Sequence, residues 1–131
     1  MRLVTCRYGG RVRVGRINDA AITLLPREAG ATMLDVIEHG PEHWARIAQL
    51  SGETVALTAV ELCAPIPQPR KNIMAIGWNY RAHAHESATA HGNTASIPEA
   101  PVVFTKNVTS VTGPRDDIPL DTEVTTQFDW E

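Results

Sequence analysis

The sequence predicts an α+β fold on three observations. Two β-rich runs are joined by Gly9-Gly10, two apolar stripes of helical period meet at Gly40-Pro41, and strand character returns beyond a proline-rich break at residues 64–70. The break separates two patterns that share no repeat. One small unit over residues 1–64, followed by the start of a second over 65–131, is the expected organisation.

Each element has a local reason. Leu3 to Tyr8 and Arg11 to Ile17 carry β-branched and aromatic residues, and glycines at 9 and 10 tolerate the positive φ of a tight hairpin. Asn18-Asp19 predicts the next turn. Thr32 followed by Asp35 reads as a capping box with Asp in place of the usual Glu. The helix it opens has Met33, Leu34 and Ile37 as its apolar face and ends at Gly40. Pro41 suits the first turn of a second helix, where Trp44, Ile47, Ala48 and Leu50 form a core stripe. Thr54 to Val60 returns to β character.

Three prolines at alternate positions in Ala64-Pro65-Ile66-Pro67-Gln68-Pro69-Arg70 exclude helix and predict an extended connector. Ile73 to Trp78 then reads as a buried strand ending in a glycine-containing turn. Its end presents NYRAHAHE, residues 79–86, with Asn79 as helix N-cap and Gly92 as C-terminal stop. Ser87 to Ser96 is small and polar, the composition of a lid that orders over bound substrate. Pro101 to Lys106 is a further strand, and Val108 to Val111 alternates like another. Gly113-Pro114 with Asp116-Asp117 reads as a turn. In Thr125 to Glu131 the period of two puts Phe128 and Trp130 on one face and Gln127, Asp129 and Glu131 on the other.

Composition narrows the function classes. At 131 residues, 43% apolar and 21% charged, the chain can bury a core. A net charge of -3 gives no bulk attraction to nucleic acid or to an anionic membrane. The N-terminus has no apolar secretory segment and no stretch approaches the ~18 apolar residues of a membrane span, so a cytoplasmic location is expected. Cys6 and Cys63 lack CxxC spacing and read as buried thiols rather than a disulfide or metal pair. Arg2, Arg7, Arg11, Arg13 and Arg16 stand among the first sixteen residues without an acid. They are either a solvated hairpin face or an anion-binding face.

The residues richest in chemistry are His83 and Glu86. Three apart on a helix they share a face, where a carboxylate can orient an imidazole and stabilise its charge, as a general base requires. His83-Ala84-His85 as a metal-binding HxH pair would need a strand, and the alanine-rich context favours helix. A hydrogen-bonded structural histidine is the plain alternative for His83. Tyr80, one turn earlier, either lines the same pocket or is a packed aromatic with a wet hydroxyl; Lys106 either meets a substrate carboxylate or solvates a strand end. His91 reads as a surface residue, and His39 and His43 flank Gly40 without a carboxylate cluster.

Three segments in order, APIPQPRKNIMAIGWNYRAHAHES from Ala64, IPEAPVVFTKNVTSVTGPRDDIPL from Ile97, and TTQFDWE at the end, resemble the N-terminal part of a fumarylacetoacetate hydrolase family protein. The resemblance implies a small accessory domain followed by the first strands of a mixed β-sandwich/β-roll catalytic domain, incomplete at residue 131. It implies Mg²⁺ or Mn²⁺ and a 2-oxo or 1,3-dicarbonyl acid substrate, processed by carbon–carbon hydrolysis of the acylpyruvate type, decarboxylation or isomerisation. By the same likeness His83 and Glu86 match a water-activating dyad, and Glu131 matches the first carboxylate of a Glu-x-Glu metal pair whose second member would fall at position 133. A homodimer is the expected complete form. Asn107 departs from the family's usual proline after the strand, which bears on the local turn. The competing function class is a non-catalytic fragment or interaction module lacking a complete active site.

Overall fold

The computed structural model describes residues 1–90 and 99–127. The chain divides into two compact units, Met1–Pro67 together with the segment from Thr112, and Gln68–Val111. Both are built of antiparallel strands with helices between them, the mixed α+β class predicted.

The first unit is a five-stranded antiparallel sheet whose strands lie side by side in the order Thr54–Ala56, Ala21–Leu24, Arg11–Asn18, Arg2–Tyr8 and Glu61–Leu62. β1 (Arg2–Tyr8) and β2 (Arg11–Asn18) form the predicted hairpin, with Tyr8 opposite Arg11 and Gly9 and Gly10 at φ 55° and 74°. Asp19, at φ 47°, makes the next turn into β3 (Ala21–Leu24), a strand the sequence reading passes over because four residues are too few to show a period.

Helices α1 (Met33–Glu38) and α2 (Gly40–Ile47) follow. The Thr32 hydroxyl accepts from the Asp35 amide at 3.2 Å and the Asp35 carboxylate accepts from the Thr32 amide at 2.8 Å, so the box closes with Asp. Gly40 sits at φ 74° between the two helices, and Pro41 occupies the first turn of α2. Ile47 is fully buried with Val14, Leu25, Ala29, Met33 and Val36, and Leu50 packs against them. Trp44 departs from the expected core stripe. It is 39% exposed, and its indole N–H donates to the Val36 carbonyl at 2.7 Å, satisfying one of the orphan carbonyls that α1 leaves near its C-terminus.

Thr54 to Val60 is not one strand. β4 (Thr54–Ala56) pairs with β3, then a 3-10 turn at Leu57–Ala59 carries the chain to the opposite edge, where β5 (Glu61–Leu62) pairs with β1. The Leu57 amide donates to the Ala20 carbonyl, just before β3 begins, which is where the ladder runs out of partners. A second cluster, Cys6, Ile22, Leu24 and Val55, fills the other face. The buried Thr5 hydroxyl donates to the Pro65 carbonyl at 2.6 Å and ties the start of the proline connector to the sheet. Cys6 and Cys63 are free thiols, and burial pushes both above the ordinary thiol range and keeps them protonated.

His43 is a structural residue. It is buried, its Nε2 lies 2.7 Å from the Ala29 carbonyl, and its Nδ1 lies 2.9 Å from the Arg46 guanidinium. A carbonyl only accepts and a guanidinium only donates, so the ring carries its proton on Nε2. In the segment from Thr112, the Asp116 carboxylate accepts from the Gly113 amide at 2.7 Å and closes the expected turn.

The second unit pairs β6 (Ile73–Gly77) with β7 (Val102–Lys106), and α3 (Arg81–Ala90) lies between them in sequence. The ladder runs from Ile73 opposite Lys106 to Gly77 opposite Val102. β6 was predicted as a buried strand, yet Met74 is 66% exposed and Val103, which pairs with Ile76, is 53% exposed. Two strands alone cover neither of their faces. Val108 to Val111, predicted as a strand, is instead a 3-10 turn at Val108–Ser110. Asn107 explains it: its side chain accepts from the Thr109 amide at 3.2 Å and its backbone accepts from the Ser110 hydroxyl at 2.7 Å. At φ −65° Asn107 holds the value a proline would hold, so the departure from proline leaves the turn intact. No helix among the described residues is long and apolar enough to cross a membrane.

Candidate active site

The strand β6 delivers the chain to a sharp turn. Trp78 takes φ 53°, a left-handed conformation that costs a bulky residue about 1–3 kcal/mol. The Asn79 side-chain amide donates back to the Ile76 carbonyl at 3.0 Å, locking the turn. Asn79 was predicted as the N-cap, but α3 begins at Arg81 and the Asn79 side chain is already committed to the strand end. The stop expected at Gly92 and most of the lid expected over Ser87 to Ser96 lie outside the described residues.

The turn sets the direction in which α3 leaves the sheet. His83 and Glu86 lie on successive turns of α3, three residues apart and therefore on one face, about 5–6 Å between Cβ atoms by helix geometry. Both are exposed. Among the described residues they form no ion pair with each other. Such contacts often tighten only when substrate is bound. Tyr80 sits just before the helix, 73% exposed, one turn from His83. The Thr89 hydroxyl donates to the His85 carbonyl at 2.8 Å, a bond within the helix.

Lys106 lies elsewhere on the ladder. It pairs with Ile73, at the end opposite Gly77, from which α3 departs. Its ammonium stands 5.8 Å from the centre of the Phe104 ring. Glu131, the carboxylate expected to ligate metal, and its neighbours Phe128 to Trp130 lie outside the described residues. Among the described residues no three His, Cys, Asp or Glu side chains come together in a group able to hold a metal ion. The structure thus gathers Tyr80, His83 and Glu86 at one strand end and leaves Lys106 at the other. The left-handed Trp78 is the feature the sequence reading missed, because nothing in a Gly-Trp-Asn triplet says which residue will bear the positive φ.

Residues 72–131, which include every one of these positions, match the family described as "Fumarylacetoacetate (FAA) hydrolase C-terminal". The chain is 48% identical over 83 residues to oxaloacetate tautomerase YisK of Bacillus subtilis (strain 168), an alignment covering 63% of this chain and 26% of that protein. It is 36% identical over 72 residues to the mitochondrial oxaloacetate tautomerase fahd2 of Xenopus laevis, covering 55% of this chain and 20% of that one. A crystal structure from Mycobacterium smegmatis, provisionally named HpcE, superposes with a TM-score of 0.64 at 26% identity, over 89% of this chain and 40% of that chain. The chain therefore spans about a quarter of the length of the curated relatives it matches.

Proposed function

We propose that this chain, whose residues 72–131 match the fumarylacetoacetate hydrolase family, supplies the proton-handling segment of an enzyme acting on 2-oxo acids, with keto–enol isomerisation of an oxaloacetate-type diacid as its reaction. The observation that carries this reading is the His83 and Glu86 pair on one exposed face of α3, inside the matched region. The tautomerase names of the relatives at 48% and 36% identity favour isomerisation over the acylpyruvate hydrolysis expected from the sequence.

The two reactions share a first requirement, a base. In isomerisation a C–H bond next to the ketone breaks and an O–H bond forms, with no change in composition. Neutral His83 accepts the carbon-bound proton, Glu86 stabilises the imidazolium, and His83 then gives a proton up to the enolate oxygen. In hydrolysis the same imidazole takes its proton from water, and the resulting hydroxide adds to the carbonyl carbon. Tyr80 borders the reacting end, whereas Lys106, at the other end of the β6 and β7 ladder, takes no part in the proton transfer.

A divalent cation, Mg²⁺ or Mn²⁺, belongs to the same reading, with Glu131 among its ligands. When bound it supplies Lewis-acid polarisation of the substrate's adjacent oxygens. The described residues do not make that site by themselves. Residues 1–64 serve in this reading as an accessory domain and 65–131 as the start of a β-sandwich/β-roll catalytic domain. The working form is a cytoplasmic homodimer.

The test is a comparison of substrates. Oxaloacetate and an acylpyruvate are incubated separately with the protein, with Mg²⁺ and again after EDTA. Faster keto–enol conversion of oxaloacetate, lost on chelation, without comparable acylpyruvate cleavage, is the expected result. Turnover of neither, with no Mg²⁺ bound, would leave the non-catalytic interaction module as the reading of this chain.

A further inference from the structure

β2 is longer than the strand beside it. β3 pairs with it only from Gly15 opposite Leu24 to Asn18 opposite Ala21, so Arg11 to Val14 form an open sheet edge on that side. There the chain turns away after Leu25 and returns through the 3-10 turn Arg27–Ala29, enclosing a cavity of about 330 Å³. Three arginines, Arg11, Arg13 and Arg27, line it, together with Val12, Leu25 and Gly30, and no acidic residue does.

The electrostatics of this cavity are unbalanced. Among the described residues, Asp19 pairs with Arg2 and Glu61 with Arg7, two other arginines. Arg13 donates to the Leu25 carbonyl at 3.3 Å, while Arg11 and Arg27 have no side-chain partner among the described residues. Glu28, the acid nearest in sequence, is exposed and not part of the lining. The backbone adds a donor. The Val14 carbonyl accepts from Leu25 on the open side, and alternation along an antiparallel strand therefore turns the Val12 N–H toward the same side, where no strand meets it.

Three guanidiniums, a free edge amide and an apolar floor in a volume suited to a small molecule form a site for a particular chemistry. We propose that this cavity binds a small organic polyanion carrying two or more carboxylates, with Arg11 and Arg27 as the charged clamps and Val12 and Leu25 as the apolar bed. The site is built from residues of the first unit alone. Arginine suits carboxylate because its planar fork donates two parallel hydrogen bonds. The apolar bed separates an organic anion from an inorganic one.

The test uses citrate as the organic probe and inorganic sulfate as the control, with the full 131-residue chain followed by NMR and calorimetry. Citrate is expected to shift the amides of Arg11 to Val14 and Arg27 to Ala31, and to bind at least about tenfold tighter than sulfate, the factor corresponding to about 1.4 kcal/mol. The double variant Arg11→Gln, Arg27→Gln should weaken citrate at least tenfold. Arg2→Gln, whose partner is Asp19, should leave it within about twofold. Both sets of residues are on the surface, so folding is preserved and is checked by the dispersion of the amide spectrum. Citrate shifts spread evenly over all arginines, equal binding of sulfate, or undiminished binding by the double variant would each overturn the proposal.

Discussion

Replacing His83 by alanine is expected to slow oxaloacetate isomerisation by about 10²–10⁴-fold in the enzyme that carries this segment. The loss should fall on kcat if, as proposed, the imidazole holds a proton in the transition state and does not hold the substrate. Stability should barely change. His83 is exposed on α3, and substitutions at such positions usually stay within about 0.5 kcal/mol. Glu86→Gln should cost less than His83→Ala, since a neutral amide still orients the ring while losing the charge that favours imidazolium. If His83→Ala retains more than about a tenth of the rate, the helix does not carry the base.

The second large effect is on folding. Ile47→Ala should lower the unfolding free energy by about 2–5 kcal/mol, a large part of the 5–15 kcal/mol or so that a domain has to lose. Ile47 is fully buried at the junction of α2 and the sheet, and Val36, Met33 and Leu25 close around it. Its neighbourhood is also pinned from below. Arg16 on β2 donates to the carbonyls of Ile47 at 3.0 Å and Ala48 at 2.6 Å, capping the end of α2 with a cation where the helix dipole is negative. The surrounding backbone is thus held and cannot collapse into the space the isoleucine leaves. Urea melts of the two proteins read the difference directly. A cost under about 1 kcal/mol would show that α2 is not an anchor of this core.

How much of this was legible beforehand depended on how local each cause is. The Gly9-Gly10 hairpin, the Thr32 and Asp35 box and the Gly40-Pro41 junction are each decided within four residues, and each forms as predicted. The break of Thr54 to Val60 into two edge strands is set by where β3 ends, which no local pattern reveals. Asn107 turned an apparent strand into a 3-10 turn through one side-chain bond, a competition that alternation of Val and Ser cannot show. Trp44 kept helical spacing but spends its indole on a carbonyl of α1, so its place at the edge of the core follows from its one polar atom.

The site divides the same way. That His83 and Glu86 share a face follows from helix period alone, and α3 provides the helix. That Lys106 belongs to the other end of the ladder follows only from the β6 and β7 register, since 26 positions of sequence separate Lys106 from Tyr80 with no rule for how they return. The arginines repeat the lesson. Arg11 and Arg13 stood out as unopposed cations, but the cavity needs Arg27, brought in by the turn after Leu25.

Deuterium exchange at the substrate carbon reads proton abstraction itself. In D₂O, deuterium enters oxaloacetate next to its ketone only when a proton is removed from that carbon. Incorporation by the enzyme is expected well above the spontaneous rate, with the carbon skeleton intact, and should fall to near the spontaneous rate in His83→Ala. Cleavage of the skeleton without label, or undiminished labelling by His83→Ala, would contradict proton abstraction by His83.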